Sequence, residues 1–181
     1  MGQQYAITGY HGTTMSSAEK IFSTKVFYDS EKKSEWLGKG TYFFAYKCDA
    51  VDWAKKEVQK PENSGQKGAV LSARLEFDDE QLLDLDDSSA LEQMHETLKS
   101  VGCIVGKHIS ADCSKLTGPD LWKQWYFNCE IYKKTHPEIG IITYTFRFPN
   151  KFDERWFGKN QKQICVSKHE IIKDIAREGL L

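Results

Sequence analysis

Two short segments constrain this chain more than anything else in it: Tyr10-His11-Gly12-Thr13 and Trp36-Leu37-Gly38-Lys39-Gly40-Thr41-Tyr42-Phe43-Phe44. Each has the form of a strand that ends in, or is interrupted by, glycine beside a histidine or a polar aromatic. That pattern lets bare backbone come close to a flat ligand. A glycine at position 12 has no Cβ, so its N–H and C=O can both face a planar amide. His11 offers a ring nitrogen to a hydroxyl, and Tyr42 offers a flat face for stacking. The second segment runs into Ala50-Val51-Asp52-Trp53-Ala54-Lys55-Lys56, a helical stretch with another large aromatic.

The rest of the chain reads as one α+β domain over residues 1–181, large enough for a continuous core without disulfides. Tyr5–Tyr10 reads as a short strand, and Ser16–Phe22 as a short helix opened by capping serines. A charged loop, Asp29–Glu35, leads into the glycine-rich strand. Helix follows from about Asp49 to Gln59, stopped by Pro61 and a polar turn. Gly68–Phe77 is a strand by composition. The acidic stretch Asp78–Asp87 reads as solvated loop, lacking the glycine and spacing of a calcium site. Ser88 caps a helix to about Ser100. Pro119–Lys134 is a second helix, with Leu121, Trp122, Trp125, Cys129 and Tyr132 at three- and four-residue spacing. Ile141–Phe148 alternates as a strand, and Gln163–Val166 is a shorter one that resumes at Glu170-Ile171-Ile172. No repeat or linker interrupts this order. The layout predicts two small, mostly antiparallel sheets that meet at a cleft, flanked by helices.

Charge and cysteine usage narrow the class. With 25 basic and 26 acidic residues the net charge is −1, so a globally basic nucleic-acid binder is not indicated, although a local patch is compatible. The cysteines 48, 103, 113, 129 and 165 are odd in number and form no C-x-x-C pair, which suits reduced thiols in a cytoplasmic protein. Neither they nor the five histidines show metal-ligand spacing, so no metal is expected. Met1-Gly2-Gln3-Gln4-Tyr5 does not open a signal peptide, and no apolar run is long enough for a bilayer, so no membrane partner is expected.

In order, spacing and residue type, the two opening segments resemble the ADP-ribosyltransferase superfamily, in its His-Tyr-Glu branch that includes the poly-ADP-ribose polymerases. There a His-Gly pair on the first strand holds NAD and a Gly-Lys-Gly-Ile-Tyr-Phe segment follows. Here that segment is Gly38-Lys39-Gly40-Thr41-Tyr42-Phe43. The resemblance implies an ADP-ribosyltransferase-like fold and NAD as co-substrate. It implies that His11 bonds a hydroxyl of the adenosine ribose, that Gly12 grips the nicotinamide carboxamide through its main chain, and that Thr13 also contacts NAD. Gly40, Tyr42 and Phe43 would contact NAD, with Tyr42 stacked on one face of the nicotinamide ring. Trp53 falls where the polymerases place a second aromatic; a core anchor of its own helix is the other reading. At position 50 the polymerases carry a serine that bonds the carboxamide, and here it is Ala50.

The third motif departs further. The family's catalytic glutamate opens a late strand, and the matching place holds Gln163. Glutamine can still bond a ribose hydroxyl but brings no charge to an oxocarbenium-like transition state. The triad read from the resemblance is therefore His11, Tyr42 and Gln163, which implies slow mono-transfer without chain elongation. Glu130 and Glu170 are the carboxylates that could replace the missing one. Gln161 stands two residues earlier, where related transferases contact the acceptor. The preceding loop carries Arg155 and Trp156 among Lys151, Lys159 and Lys162, a mixture that suits phosphates and stacked bases as well as a protein side chain. The expected activity is thus transfer of ADP-ribose to RNA, DNA or protein. The resemblance extends to intracellular bacterial toxins and phage-defence effectors, which would imply a neutralising antitoxin. An NAD glycohydrolase and a catalytically silent NAD- or ADP-ribose-binding module are the competing readings.

Overall fold

The structure is a computed structural model that describes residues 2–30, 35–105, 119–148 and 159–180, without side chains for 103–105, 119–122 and 180. Its strands are β1 (Gln4–Thr14), β2 (Thr41–Phe44), β3 (Gly68–Asp78), β4 (Leu82–Asp84), β5 (Ile141–Phe148), β6 (Lys159–Val166) and β7 (Ile172–Leu180). The helices are α1 (Met15–Thr24), α2 (Lys47–Val58), α3 (Ser88–Val105) and α4 (Pro119–Thr135). The chain is α+β. All seven strands form one sheet in the order β4-β5-β6-β2-β1-β3-β7, antiparallel except for the β4–β5 pair.

The expectation of two sheets is corrected to one, but the sheet is nearly divided. β1 pairs with β3 without a break from Gln4↔Asp78 to Thr14↔Gly68. Against β2 it has one registered pair, Tyr10↔Phe44. Beyond that pair no further β1–β2 register pair forms, and a cavity lies there within the single sheet.

Period-two alternation explains the layering. On β3, Ala69, Leu71, Ala73, Leu75 and Phe77 face one side, where α1 adds Ala18 and Ile21 and the cluster takes in Phe27, Phe43, Ile164 and Val166. On the opposite side Val70 meets Ala50 and Ala54 of α2. Leu83, Ile142 and Cys165 meet Met94 and Leu98 of α3 and Cys129 and Tyr132 of α4. That second face is covered in two blocks, α2 over β1 and β3, and α3 with α4 over β4 to β6.

Three other expectations change. The acidic stretch is not all loop: Leu82–Asp84 is a strand parallel to β5. Its carboxylates are engaged, since Asp84 accepts from Thr143 at 2.7 Å and Asp86 from the Thr145 N–H at 2.9 Å, while Asp87 bonds the Ser89 N–H at 2.8 Å. Residues 170–172 do not resume β6. They lead into β7, which crosses to the far edge and pairs with β3. Helix α1 starts one residue earlier than its serines suggest, because the Thr14 hydroxyl is the cap and accepts from the Ser17 N–H. No helix among the described residues is long and apolar enough to cross a membrane.

Candidate functional site

A cavity of about 190 Å³ lies where β1 and β2 separate. β1 lines it with His11, Gly12 and Thr13, β2 with Tyr42 and Phe44, and β6 with Gln163. Helix α2 adds Trp53 and Glu57, and the loop before β2 adds Tyr28, Ser30 and Glu35. A larger hollow of about 500 Å³ lies elsewhere, bordered by Arg74, Glu76, Asp78, Glu170 and Lys173. There Arg74 is taken up by Glu76 at 2.9 Å. The smaller cavity is the better site, because it combines a half-buried imidazole, aromatic faces and two carboxylates at a break in the sheet.

His11 fills the gap between the strands. Its Nδ1–H donates to the Tyr42 carbonyl at 2.8 Å, a side-chain bond just past the last registered pair of β1 and β2. The ring stands edge-on to Phe27 at 5.2 Å and to Phe43 at 5.9 Å. With Nδ1 committed as donor, the neutral ring has its lone pair on Nε2, which can accept from a hydroxyl. Burial lowers the His11 pKa below its usual value, against the opposing pull of the Tyr42 carbonyl and the Glu57 charge. The ring is therefore neutral at pH 7.

Tyr42 is fixed at its tip. Its hydroxyl donates to the Gly38 carbonyl at 2.8 Å and accepts from the Leu37 N–H at 2.9 Å. Burial, then Cys165 and the Glu35 carboxylate, push the phenol far above its ordinary range, so it is no general base. What it offers a ligand is a rigid ring face. The turn it binds is held from beyond by α4. The Glu130 carboxylate accepts from the Lys39 N–H at 2.7 Å, and Lys133 donates to the Lys39 carbonyl at 2.7 Å. Gly38 has φ +86°, and a Cβ there would sit 2.5 Å from Glu130 Oε1. Glu130 therefore anchors the turn, and Glu170 borders the other hollow. Neither is placed to replace a carboxylate at Gln163.

The cavity does not gather every residue expected in it. Phe43 is fully buried, on the opposite face of β2 from Tyr42 and Phe44, within the core that holds Phe27 and Ile164. Gly40 packs against β6, where a Cβ would lie 2.6 Å from the Val166 carbonyl. Gln161 is 8% exposed, and its Oε1 accepts from Gln163 Nε2 at 3.0 Å. Gln163 thus reaches the cavity with one amide hydrogen already engaged. Arg155 and Trp156 lie outside the described residues. Trp53 is 37% exposed beside Phe44 at 5.9 Å, so it lines the cavity and does not anchor the core; Ala50 and Ala54 do that.

Two cations assigned to an acceptor surface are already partnered. Lys159 lies 2.7 Å from the buried Asp49, a close contact poorly angled for a hydrogen bond, and 2.6 Å from Asp52. Lys162 bridges Asp84 and Asp86. The Lys159 ammonium holds the Asp52 carboxyl below its usual range.

Tyr28, Ser30, Glu35, Phe44 and Glu57 are the lining residues that the sequence did not single out. Glu57 carried a usable signal, since it stands four residues after Trp53 and so on the same helix face. The loop residues carried none. Among the described residues Cys48, Cys129 and Cys165 are free thiols. Cys129 and Cys165 lie under the 36–39 turn, and burial pushes Cys165 up to about 12, which rules it out as a nucleophile. No group of three or more metal-binding side chains occurs among the described residues.

Uncharacterized protein MJ0359 of Methanocaldococcus jannaschii is 30% identical over 79 residues, which are 44% of this chain and 37% of that protein. No protein-family model and no solved structure matches the chain.

Proposed function

We propose that the chain is an ADP-ribosyltransferase that binds NAD in the β1–β2 cavity, cleaves off nicotinamide and transfers ADP-ribose to a macromolecule. The observation that carries this reading is the meeting, at a break in the sheet, of His11, Gly12 and Thr13 with the Tyr42 and Trp53 rings and Gln163. These are the residues named by the resemblance to the His-Tyr-Glu transferases. A sheet nearly divided between β1 and β2 also suits an ADP-ribosyltransferase-like fold. At about 190 Å³ the cavity suits one ring and its sugar, with the remainder of the dinucleotide lying outside it. The neutral His11 Nε2 accepts from a ribose hydroxyl, and the nicotinamide ring lies on Tyr42. Lys159 and Lys162 are already paired with carboxylates, which weakens their pull on a phosphate backbone. The Gln163–Gln161 bond favours a second reading, a silent NAD-binding module, because it leaves the glutamine without charge and partly occupied.

Nicotinamide release by the purified chain from labelled NAD separates the readings, with RNA, DNA or protein added in turn. Release that an acceptor stimulates, with label left on that acceptor, is the expected result, and His11→Ala should abolish both. Binding without release would identify the silent module. Release without labelling of any acceptor would identify a glycohydrolase.

Trp53 gives a separate expectation. Truncating a buried Trp costs about 3–5 kcal/mol, but Trp53 is 37% exposed. Trp53→Ala should therefore lower stability by only about 1 kcal/mol, while weakening NAD binding several-fold and leaving Trp53→Phe close to wild type. Thermal melts with and without NAD check both effects. A large fall in the apo melting temperature would return Trp53 to the core.

A further inference from the structure

We propose that Glu35 supplies the carboxylate that this site lacks at Gln163, facing the sugar carbon from which nicotinamide departs. The inference rests on the NAD reading above. Glu35 and Gln163 border the same cavity as Tyr42. The Glu35 Oε1 accepts from the Ser30 hydroxyl at 2.9 Å, which orients the carboxylate without neutralising it. Among the described residues no cation is paired with it.

The other carboxylates are spoken for. Glu57 borders the cavity but is paired with Lys60 three residues on, and its charge acts on His11. Glu130 is turned to the Lys39 N–H, and Glu170 lies at another hollow. Gln163 is neutral and bonded to Gln161. Among the described residues Glu35 is thus the cavity carboxylate without a paired cation, and it sits beside Tyr42, the expected nicotinamide platform.

The chemistry asked of it is limited. The bond between C1′ and the pyridinium nitrogen breaks with its electron pair going to nitrogen, and nicotinamide leaves neutral. Positive charge moves onto C1′ and its ring oxygen, where a fixed anion in a partly desolvated cavity is most effective. The acceptor's nucleophilic atom bonds C1′, and its proton passes to the Glu35 carboxylate and on to solvent. A glutamine cannot perform either task, since it carries no charge and accepts no proton at neutral pH. Glu35 therefore takes the electrostatic and basic roles, and Gln163 is left to orient the sugar by hydrogen bonding.

Glu35→Gln keeps the shape of the side chain and an acceptor for Ser30, so it isolates the charge. In the full chain, nicotinamide release should fall roughly 100-fold or more in kcat, the scale for removing one positioned electrostatic group. KM for NAD should stay within about threefold, because the lost interaction belongs to the transition state. Quenching of tryptophan fluorescence by NAD should be unchanged, which shows that the variant is folded and loaded. Adding Gln163→Glu in the same chain should restore at least a tenth of the lost activity by returning a carboxylate to the cavity. A kcat for Glu35→Gln within threefold of wild type would overturn the proposal and leave the NAD reading standing. A wild-type chain that neither binds NAD nor releases nicotinamide would overturn both.

Discussion

Gly12→Ala should destabilise the fold severely, although it adds one methyl group. A Cβ at position 12 would sit 2.0 Å from the Ala50 carbonyl oxygen and 3.0 Å from the Ala54 backbone nitrogen. These are main-chain atoms of α2 and cannot rotate away, so the helix itself must lift from β1. Lifting it exposes Ala50 and Ala54, both fully buried, and opens their contacts with Val70 and Phe44. Overpacking an ordinary core site costs about 1–3 kcal/mol because side chains can give. Here the loss should be on the order of 3 kcal/mol or more, which for a chain of this size lowers the melting temperature by roughly 6–12 °C. Glycine at 12 is thus first a requirement of helix packing, and the open backbone edge beside the cavity follows from it. Urea and thermal unfolding measure the effect. A melting temperature within about 2 °C of wild type would mean that α2 does not seat on β1 as described.

The second large effect is at Tyr42, where two substitutions separate the ring from the hydroxyl. Tyr42→Phe leaves the Leu37 N–H and the Gly38 carbonyl without their partner. Each buried group left unpaired costs about 1–3 kcal/mol, so the 36–39 turn should loosen and stability should fall by a few kcal/mol. The ring face remains, and NAD binding should persist with a modest rise in KM. Tyr42→Ala removes the face as well, and truncating a large aromatic costs about 3–5 kcal/mol. Nicotinamide release should then fall more than about 100-fold, because nothing holds the departing ring in place. Calorimetry and nicotinamide release on both variants check this. Tyr42→Phe as inactive as Tyr42→Ala, at an unchanged melting temperature, would show that the hydroxyl acts in the chemistry and not in the turn.

The sequence makes legible whatever is periodic. Composition and partial alternation over 68–77 identify β3, and the three- and four-residue spacing of Trp125, Cys129 and Tyr132 identifies α4. β4 gives no such signal. Three residues inside an acidic run are too few to show a period, and the Asp84 carboxylate finds its Thr143 and Lys162 partners across the sheet on β5 and β6. β7 is hidden for another reason. It is an edge strand, rich in charge, whose register against β3 shifts twice, so no clean alternation survives.

The site divides in the same way. Local chemistry is enough to single out His11, Gly12 and Tyr42, since a glycine beside a histidine, or a tyrosine after Gly-Lys-Gly, is unusual within a few residues of chain. It misassigns Phe43 and Gly40, because adjacency in sequence cannot say which face of a short strand meets a ligand. The role of Glu130 is set by a contact spanning ninety-one residues, to the Lys39 N–H. The presence of Glu35 and Glu57 in the cavity follows from how Glu35, beside Ser30, and α2 come to lie against β1 and β2. The sequence by itself therefore determined the α+β class and singled out two strand segments that the structure places beside one cavity. The tertiary structure decided which charges line that cavity, because long-range packing alone brings together side chains that no local period relates.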